Sequence, residues 1–300
     1  MENSAWHLAR RRSAPVMVLA VAAALSLVAC GSSKKKESTS ATTAPPQPSE
    51  VAITANEYSF GLPPTIPAGA VQLKLTNAGK EPHDLQLATV DGTHTKDEIV
   101  KNLASENEPI STWLHAAGGV GTTKGGGAQA AYVTLKPNTT YWYFCTETTK
   151  DNKAHSELGM IGTFTTGATG GVAAMPTATA TVKAHEYGFG ITGIKAGEQL
   201  VEFTNTGPNQ IHHFVAAPIV AGKTFDEAKK ALATPPNQTT EPPPVDFDKA
   251  VAVAALDPGQ SEVMRLTFAP GDYVFVCFLR DHTPGPPHVA KGMVAEFKVA

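Results

Sequence analysis

Apolar residues along the chain recur mainly in short runs of period two, separated by Gly, Pro and Asn. In Tyr273-Val-Phe-Val-Cys277 this alternation puts Tyr273, Phe275 and Cys277 on one face of a strand, with the cysteine as the last inward residue. Tyr141-Trp-Tyr-Phe-Cys145 repeats the pattern about 130 positions earlier. The duplication reaches further. Glu57-Tyr58-x-Phe60-Gly61 answers Glu186-Tyr187-x-Phe189-Gly190, Ile66-x-Ala68-Gly69 answers Ile194-x-Ala196-Gly197, and Thr76-Asn77-x-Gly79 answers Thr204-Asn205-x-Gly207. Short alternating strands at this spacing predict an all-β chain of two β-sandwiches in tandem.

Each sandwich carries a short helical insertion. Thr95-x-x-Glu98 and Thr224-x-x-Glu227 have the form of capping boxes, followed by apolar patterns that end at Leu103 and Leu232. Breaker-rich segments come next, Gly118 to Gly127 and Pro235 to Pro244, and are expected to cover one flank of each sandwich.

The first 29 residues stand apart from this pattern. Arg10-Arg11-Arg12 precede an apolar run from Pro15 to Ala29, shorter than the roughly 20 residues a membrane span needs. It ends in Leu27-Val28-Ala29-Cys30, which looks like a bacterial lipoprotein signal with its lipobox. The expected organisation is a signal peptide over 1–29 and a flexible Ser, Thr, Lys and Pro-rich tether over 30–49, lipidated at Cys30. The first repeat then spans 50–166, a Gly-rich linker 167–177 and the second repeat 178–300. This places the protein outside the cytoplasm, held to the cell membrane by lipid on Cys30.

At 300 residues, 42% hydrophobic and 17% charged, the chain has the composition of two globular domains. The formal net charge is −3, and removing residues 1–29, with three Arg and one Glu, leaves about −5. Mild acidity argues against nucleic acid as a partner.

The three cysteines divide into Cys30 and one per repeat. Cys145 is followed by His155 and Met160, and Cys277 by His288 and Met293, with four residues between His and Met in both copies. His83 and His212 lie upstream. Two imidazoles, a thiolate and a thioether form a donor set that suits copper, because Cu(I) favours soft sulfur and Cu(II) favours imidazole nitrogen. A disulfide between Cys145 and Cys277 is the competing reading for an exported chain, but each cysteine ends a strand of its own repeat. His282, between Cys277 and His288, is a competing ligand, and the matched spacing to Met293 favours His288.

On these residues each repeat resembles a cupredoxin, the blue-copper fold of plastocyanin and its relatives, over nearly all of the chain after the tether. The resemblance implies Greek-key sandwiches, a first histidine on a loop after a strand, and the Cys, second His and Met on and after the penultimate strand. It implies one-electron carriage between redox partner proteins by a copper site in each repeat: His83, Cys145, His155 and Met160, then His212, Cys277, His288 and Met293. Aligning Leu85 with Phe214 selects His212 over its neighbour His213.

The chain departs from the family in two respects. Nine and ten residues separate the Cys from the second His, where the family commonly has only a few. The position after the first His, often Asn in the family, is Asp84 in one repeat and His213 in the other, so the link between ligand loops is expected to differ. A copper oxidase or nitrite reductase would need further paired histidines. No His-x-His occurs, and His94, His115, His185, His213 and His282 are unmatched between repeats, so no enzymatic activity is expected. Copper storage or delivery, and a metal-free interaction module, are the alternatives.

The lipobox reading predicts that Cys30→Ala moves the protein from the membrane to the soluble fraction and abolishes lipid labelling. Equal membrane retention and labelling of the variant would refute it.

Overall fold

The computed structural model describes residues 46–104, 109–235, 238 and 241–300; the expected signal peptide, Cys30 and most of the tether lie outside the described residues. The first repeat contains β1 (Ser49–Asn56), β2 (Ser59–Gly61), β3 (Thr65–Asn77), β4 (His83–Val90), α1 (Lys96–Ala104), β5 (Leu114–Thr123), β6 (Ala128–Leu135), β7 (Thr140–Phe144) and β8 (Ile161–Gly170). The second contains β9 (Ala180–His185), β10 (Gly188–Thr192), β11 (Gly197–Asn205), β12 (Val215–Pro218), α2 (Phe225–Ala233), β13 (Val251–Ala252), β14 (Ser261–Phe268), β15 (Gly271–Val276) and β16 (Val294–Val299). The two sets correspond strand for strand and helix for helix. No helix among the described residues is long and apolar enough to cross a membrane.

The pairings correspond too. β1 runs parallel to β3, from Ser49↔Val71 to Ala55↔Asn77, and β9 runs parallel to β11, from Val201↔Ala180 to Asn205↔Ala184. The strand that ends at the cysteine is an inner strand in each repeat. β7 lies between β4, which begins at His83, and β8, which begins just after Met160. β15 likewise lies between β12 and β16. This order carries all four candidate ligands of a repeat to one end of its sandwich.

Both faces of the cysteine strands are covered. Tyr273, Phe275 and Cys277 join the main core, whereas Val274 and Val276 lie under the layer that contains α2 and the turn at His288–Lys291. In the first repeat Tyr141 and Cys145 face the main core and Phe144 packs with Ile99 of α1. Each helix is held by its capping box: Glu98 N–H donates to Thr95 Oγ1 at 3.2 Å, and Glu227 N–H to Thr224 Oγ1 at 3.2 Å, an arrangement worth about 0.5–2 kcal/mol. Tyr141 and Tyr273 also fasten corners, their hydroxyls accepting from Lys136 N–H and Ala269 N–H.

The repeats are fused, not merely linked. β6 pairs with β14 through Ala131↔Met264 and Tyr132↔Val263, so one twelve-stranded sheet holds every strand of the first repeat and four of the second. A second seam runs beside it. Ala117 bridges Leu256, Gly118 N–H donates to Ala255 O at 3.0 Å, and Asp257 N–H donates to Ala116 O at 2.9 Å. The segment from Gly118, expected to be an irregular flank, is therefore strand β5 up to Thr123. Its glycines serve close approach: a Cβ at Gly121 would collide with the Ala252 carbonyl, and one at Gly119 with the Leu85 carbonyl. β8 runs on to Gly170, so strand occupies the start of the expected linker. The proline-rich segment lies partly outside the described residues.

Glu262 is fully buried at this seam, with Oε2 accepting from Gly119 N–H at 2.9 Å and Oε1 without a hydrogen-bond partner. Burial pushes its carboxyl up to about 8. The folded state thus holds this proton more tightly than the unfolded state. The contribution is favourable at low pH and is lost as pH rises from the ordinary carboxylate range through about 8. Glu262→Gln is expected to flatten that fall and to be more stable than wild type above pH 8, by on the order of a few kcal/mol. Chemical denaturation across pH checks it, and parallel curves for the two proteins would contradict it.

Candidate metal centres

His83 opens β4, Cys145 directly follows β7, and His155 and Met160 lie between β7 and β8. All four are fully buried. The Nδ1 atoms of His83 and His155 are 3.1 Å apart, and Cys145 Sγ lies 3.8 and 3.5 Å from them. A point in that plane equidistant from the three donors is about 2.0 Å from each, the length of a metal–imidazole bond and slightly short of a metal–thiolate bond. The second repeat gathers His212, Cys277 and His288 in the same way, with Nδ1 atoms 3.2 Å apart and Cys277 Sγ 3.4 Å from His288 Nδ1. Among the described residues these are the two groups of His, Cys, Asp and Glu that could hold a metal ion.

The methionines are placed by backbone pairing. Cys145 N–H donates to Met160 O at 3.0 Å and Met160 N–H to His155 O at 2.9 Å; Cys277 N–H donates to Met293 O at 3.3 Å and Met293 N–H to His288 O at 2.9 Å. Each methionine backbone is thus paired with its cysteine, in the same register in both copies.

The electrostatics suit a bound cation. Burial, and then the neighbouring imidazole, pushes His83 and His212 down to about 4, so both rings are neutral at pH 7. Burial raises the Cys277 thiol to about 12 and the Cys145 thiol well above the usual range. Both cysteines are free and buried, each in its own cluster, so no disulfide joins them. Two imidazole lone pairs and a sulfur facing one another in a dry pocket fit a soft, positively charged metal, which takes the thiolate as its proton leaves.

The long loops are folded upon themselves. In the first, Thr148 bridges Ala154 and His155 N–H donates to Glu147 O at 2.9 Å. In the second, His288 N–H donates to Leu279 O at 2.8 Å, and Arg280 Nη1 reaches Gly285 O at 2.6 Å. Extra length therefore leaves the second histidine fixed.

The link between ligand loops is made in both repeats by different chemistry. Asp84 Oδ1 accepts from Thr146 N–H at 2.6 Å, just after Cys145. His213 Nε2 accepts from Phe278 N–H at 3.0 Å, just after Cys277, with burial pushing His213 down to about 3 and keeping it neutral. His213 therefore stands beside the donor cluster and supports it. His282 is also outside the cluster: its Nδ1 meets Ile110 O at 2.8 Å.

Several supporting residues were not read as site residues from sequence. Glu81 Oε2 holds His155 Nε2 at 3.1 Å and accepts from Tyr58 Oη at 3.2 Å. Asp281 Oδ1 holds His288 Nε2 at 2.9 Å, accepts from Tyr187 Oη at 2.9 Å, and pairs with Lys291 through Oδ2. Tyr58 and Tyr187 also cover the second histidines, with ring centroids 5.2 and 5.1 Å away. Glu57 and Glu186 fasten the loop before each first histidine by accepting from backbone N–H groups at 81 and at 209–210. Asn77 and Asn205 bridge that loop to the adjoining strand. The signal for most of these was their duplication, Glu-Tyr and Thr-Asn recurring at matched places.

No protein-family profile and no curated protein matches the chain by sequence. Among solved structures it is similar to a dithionite-reduced auracyanin from Roseiflexus castenholzii, at 21% identity, covering 40% of this chain and 98% of that one with a TM-score of 0.28. It is similar to auracyanin A, a "blue" copper protein from Chloroflexus aurantiacus, at 19% identity, 40% and 98% coverage and a TM-score of 0.30. A copper nitrite reductase from Nitrosomonas europaea matches across both repeats, at 13% identity, 85% and 94% coverage and a TM-score of 0.26. Superpositions this loose carry no argument about the site. The strand order, the parallel first pairing and the placement of the cysteine strand define the chain as two cupredoxin-like β-sandwiches in tandem.

The geometry gives a direct test of the supporting carboxylate. Asp281→Ala is expected to weaken metal binding in the second repeat about 10- to 100-fold, because the second histidine loses its orienting partner. His282→Ala should leave the affinity unchanged. Competition with a chelator of known affinity measures both, and equal loss in the two variants would reverse the assignment of His288 and His282.

Proposed function

We propose that this chain is a copper protein held outside the cytoplasm by lipid on Cys30, and that it carries single electrons between one-electron donor and acceptor proteins. The ligands are His83, Cys145, His155 and Met160 in the first repeat and His212, Cys277, His288 and Met293 in the second. The observation that carries the reading is the same buried, mutually facing His, Cys, His group in both repeats, each with a methionine registered beside the cysteine.

Copper held by these residues would supply a reversible one-electron couple that needs little rearrangement. The protein's part is to keep it so. Asp84 and His213 tie the first-histidine strand to the residue after the cysteine, and Glu81 and Asp281 fix the second imidazole, so the donors are preorganised. Complete burial of all eight ligands excludes water and favours a resident ion over one in exchange, which supports a carrier ahead of copper delivery.

A carrier without substrate turnover is supported by what four of the other histidines do. His94 stacks on Trp113, His115 lies between Asp91 and Asp257, His213 serves the Cys277 loop and His282 meets the Ile110 carbonyl. Among the described residues none of the remaining histidines joins a further metal group.

Copper-loaded protein is expected to hold about two copper ions, to be intensely coloured when oxidised and to show reversible one-electron reduction. Cys145→Ser and Cys277→Ser should each remove one site's colour and leave the other's, with no nitrite or dioxygen consumed by any form. Metal analysis, visible spectra and voltammetry check this. Colourless oxidised protein with no reversible wave would replace the carrier reading by copper storage.

A further inference from the structure

Gln86 is buried and sits three residues after the proposed ligand His83, and its side chain reaches across to the other repeat. Its Oε1 accepts from Ala255 N–H at 2.7 Å and its Nε2 donates to Ala255 O at 3.1 Å, closing a two-bond clasp on one peptide group pair. Nε2 also reaches Leu87 O at 2.8 Å and Gly118 O at 3.2 Å. The next residue, Leu256, exchanges both backbone bonds with the ligand His212: His212 N–H donates to Leu256 O at 3.0 Å, and Leu256 N–H donates to His212 O at 2.8 Å. Asn205 Nδ2 fixes the same Leu256 carbonyl at 2.8 Å. On the first side, Gln86 is the strand partner of Phe144, which is bonded directly to Cys145.

An unbroken path of covalent and hydrogen bonds therefore joins the two metal groups, from His83 or Cys145 through Gln86 and Ala255-Leu256 to His212. Electron tunnelling decays more slowly along such a path than across van der Waals gaps. The seam around it is fixed by β6–β14 pairing and by the close approach of Gly121 to the Ala252 carbonyl.

The two ends are also electrostatically unequal. The carboxylate on His155, Glu81, is shared only with the Tyr58 hydroxyl, whereas the carboxylate on His288, Asp281, is paired with the Lys291 ammonium. A less compensated negative charge favours the more positive, oxidised state of the nearby centre. The first site should therefore have the lower potential.

On these grounds, and resting on the copper assignment above, we infer that the chain is an internal one-electron wire: the first site passes its electron through the Gln86–Ala255 clasp to the second. The first centre is oxidised and the second reduced by the same electron; no bond is made or broken and no proton moves. A donor protein is then served at one end of the molecule and an acceptor at the other.

The test uses the full chain loaded with copper. Single-site variants Cys145→Ser and Cys277→Ser first give each site's own spectrum and midpoint potential, the first being lower. A substoichiometric pulse of reducing radicals then loads wild type, and the redistribution from first to second site is followed by absorbance. The expected result is a first-order phase whose rate is independent of protein concentration, slowed at least ten-fold in Gln86→Leu with spectra and potentials unchanged. Should Leu at this position prevent folding, Gln86→Glu, which keeps the bond from Ala255 N–H and loses the donor half, is expected to slow the phase as well. Redistribution in wild type that is only second order in protein, or a rate untouched by either variant, overturns the wire and leaves the carrier reading standing. A site without copper on metal analysis overturns both.

Discussion

Two imidazole nitrogens 3.1 Å apart face a thiol in a fully buried pocket, so nitrogen and sulfur donors converge on one point. The chain accepts this arrangement twice. Burial holds both first histidines neutral and the thiols protonated, and a soft cation bound there would take the nitrogen lone pairs and displace the thiol proton. The remainder of each sandwich can be understood as the means of enforcing that geometry: a cysteine strand placed between the first-histidine strand and the methionine strand, and a methionine whose backbone is bonded to the cysteine and to the second histidine.

Duplication has preserved the geometry and let its supports diverge. One loop link uses a carboxylate, Asp84, and the other an imidazole kept neutral by burial, His213, yet both accept from the backbone N–H that follows the cysteine. The second histidines are held by Glu81 from the loop before the first histidine and by Asp281 from the loop after the cysteine, positions that do not correspond in sequence. What is common is the requirement: an acceptor at one atom, a carboxylate at another. Residue type is free wherever a different side chain can reach the same point, and charge is the property that then varies between the sites.

This explains what could be read from the sequence and what could not. The two His, Cys, His groups, the capping boxes and the alternation of Tyr273, Phe275 and Cys277 were legible because each recurs at matched places in both repeats or is set by spacing along one element. Glu57, Tyr58, Asn77 and their partners were visible as repeats, but only their folded positions show that they fasten ligand loops. Glu81 and Asp281 left no trace, since residues that meet one requirement from different loops align with nothing. The segment after Gly118 misled for a related reason. Glycines that ordinarily signal a turn here admit the carbonyls of Leu85 and Ala252 to a strand, and the second of those needs belongs to the other repeat.

The seam is where the two copies stop being equivalent. β5 is ten residues long and runs beside 255–257, whereas its counterpart β13 has two, so the duplicated strand was kept on the side where it could close the interface. A flexible linker would have sufficed to hold two independent carriers on one tether. Instead a shared twelve-stranded sheet, a buried carboxyl that is costly to ionise and a side-chain amide clasped on Ala255 of the other repeat fix the two donor groups relative to each other. Such rigidity has a conformational-entropy cost, and it holds the two donor groups at a fixed separation, which two domains tumbling on a linker could not maintain.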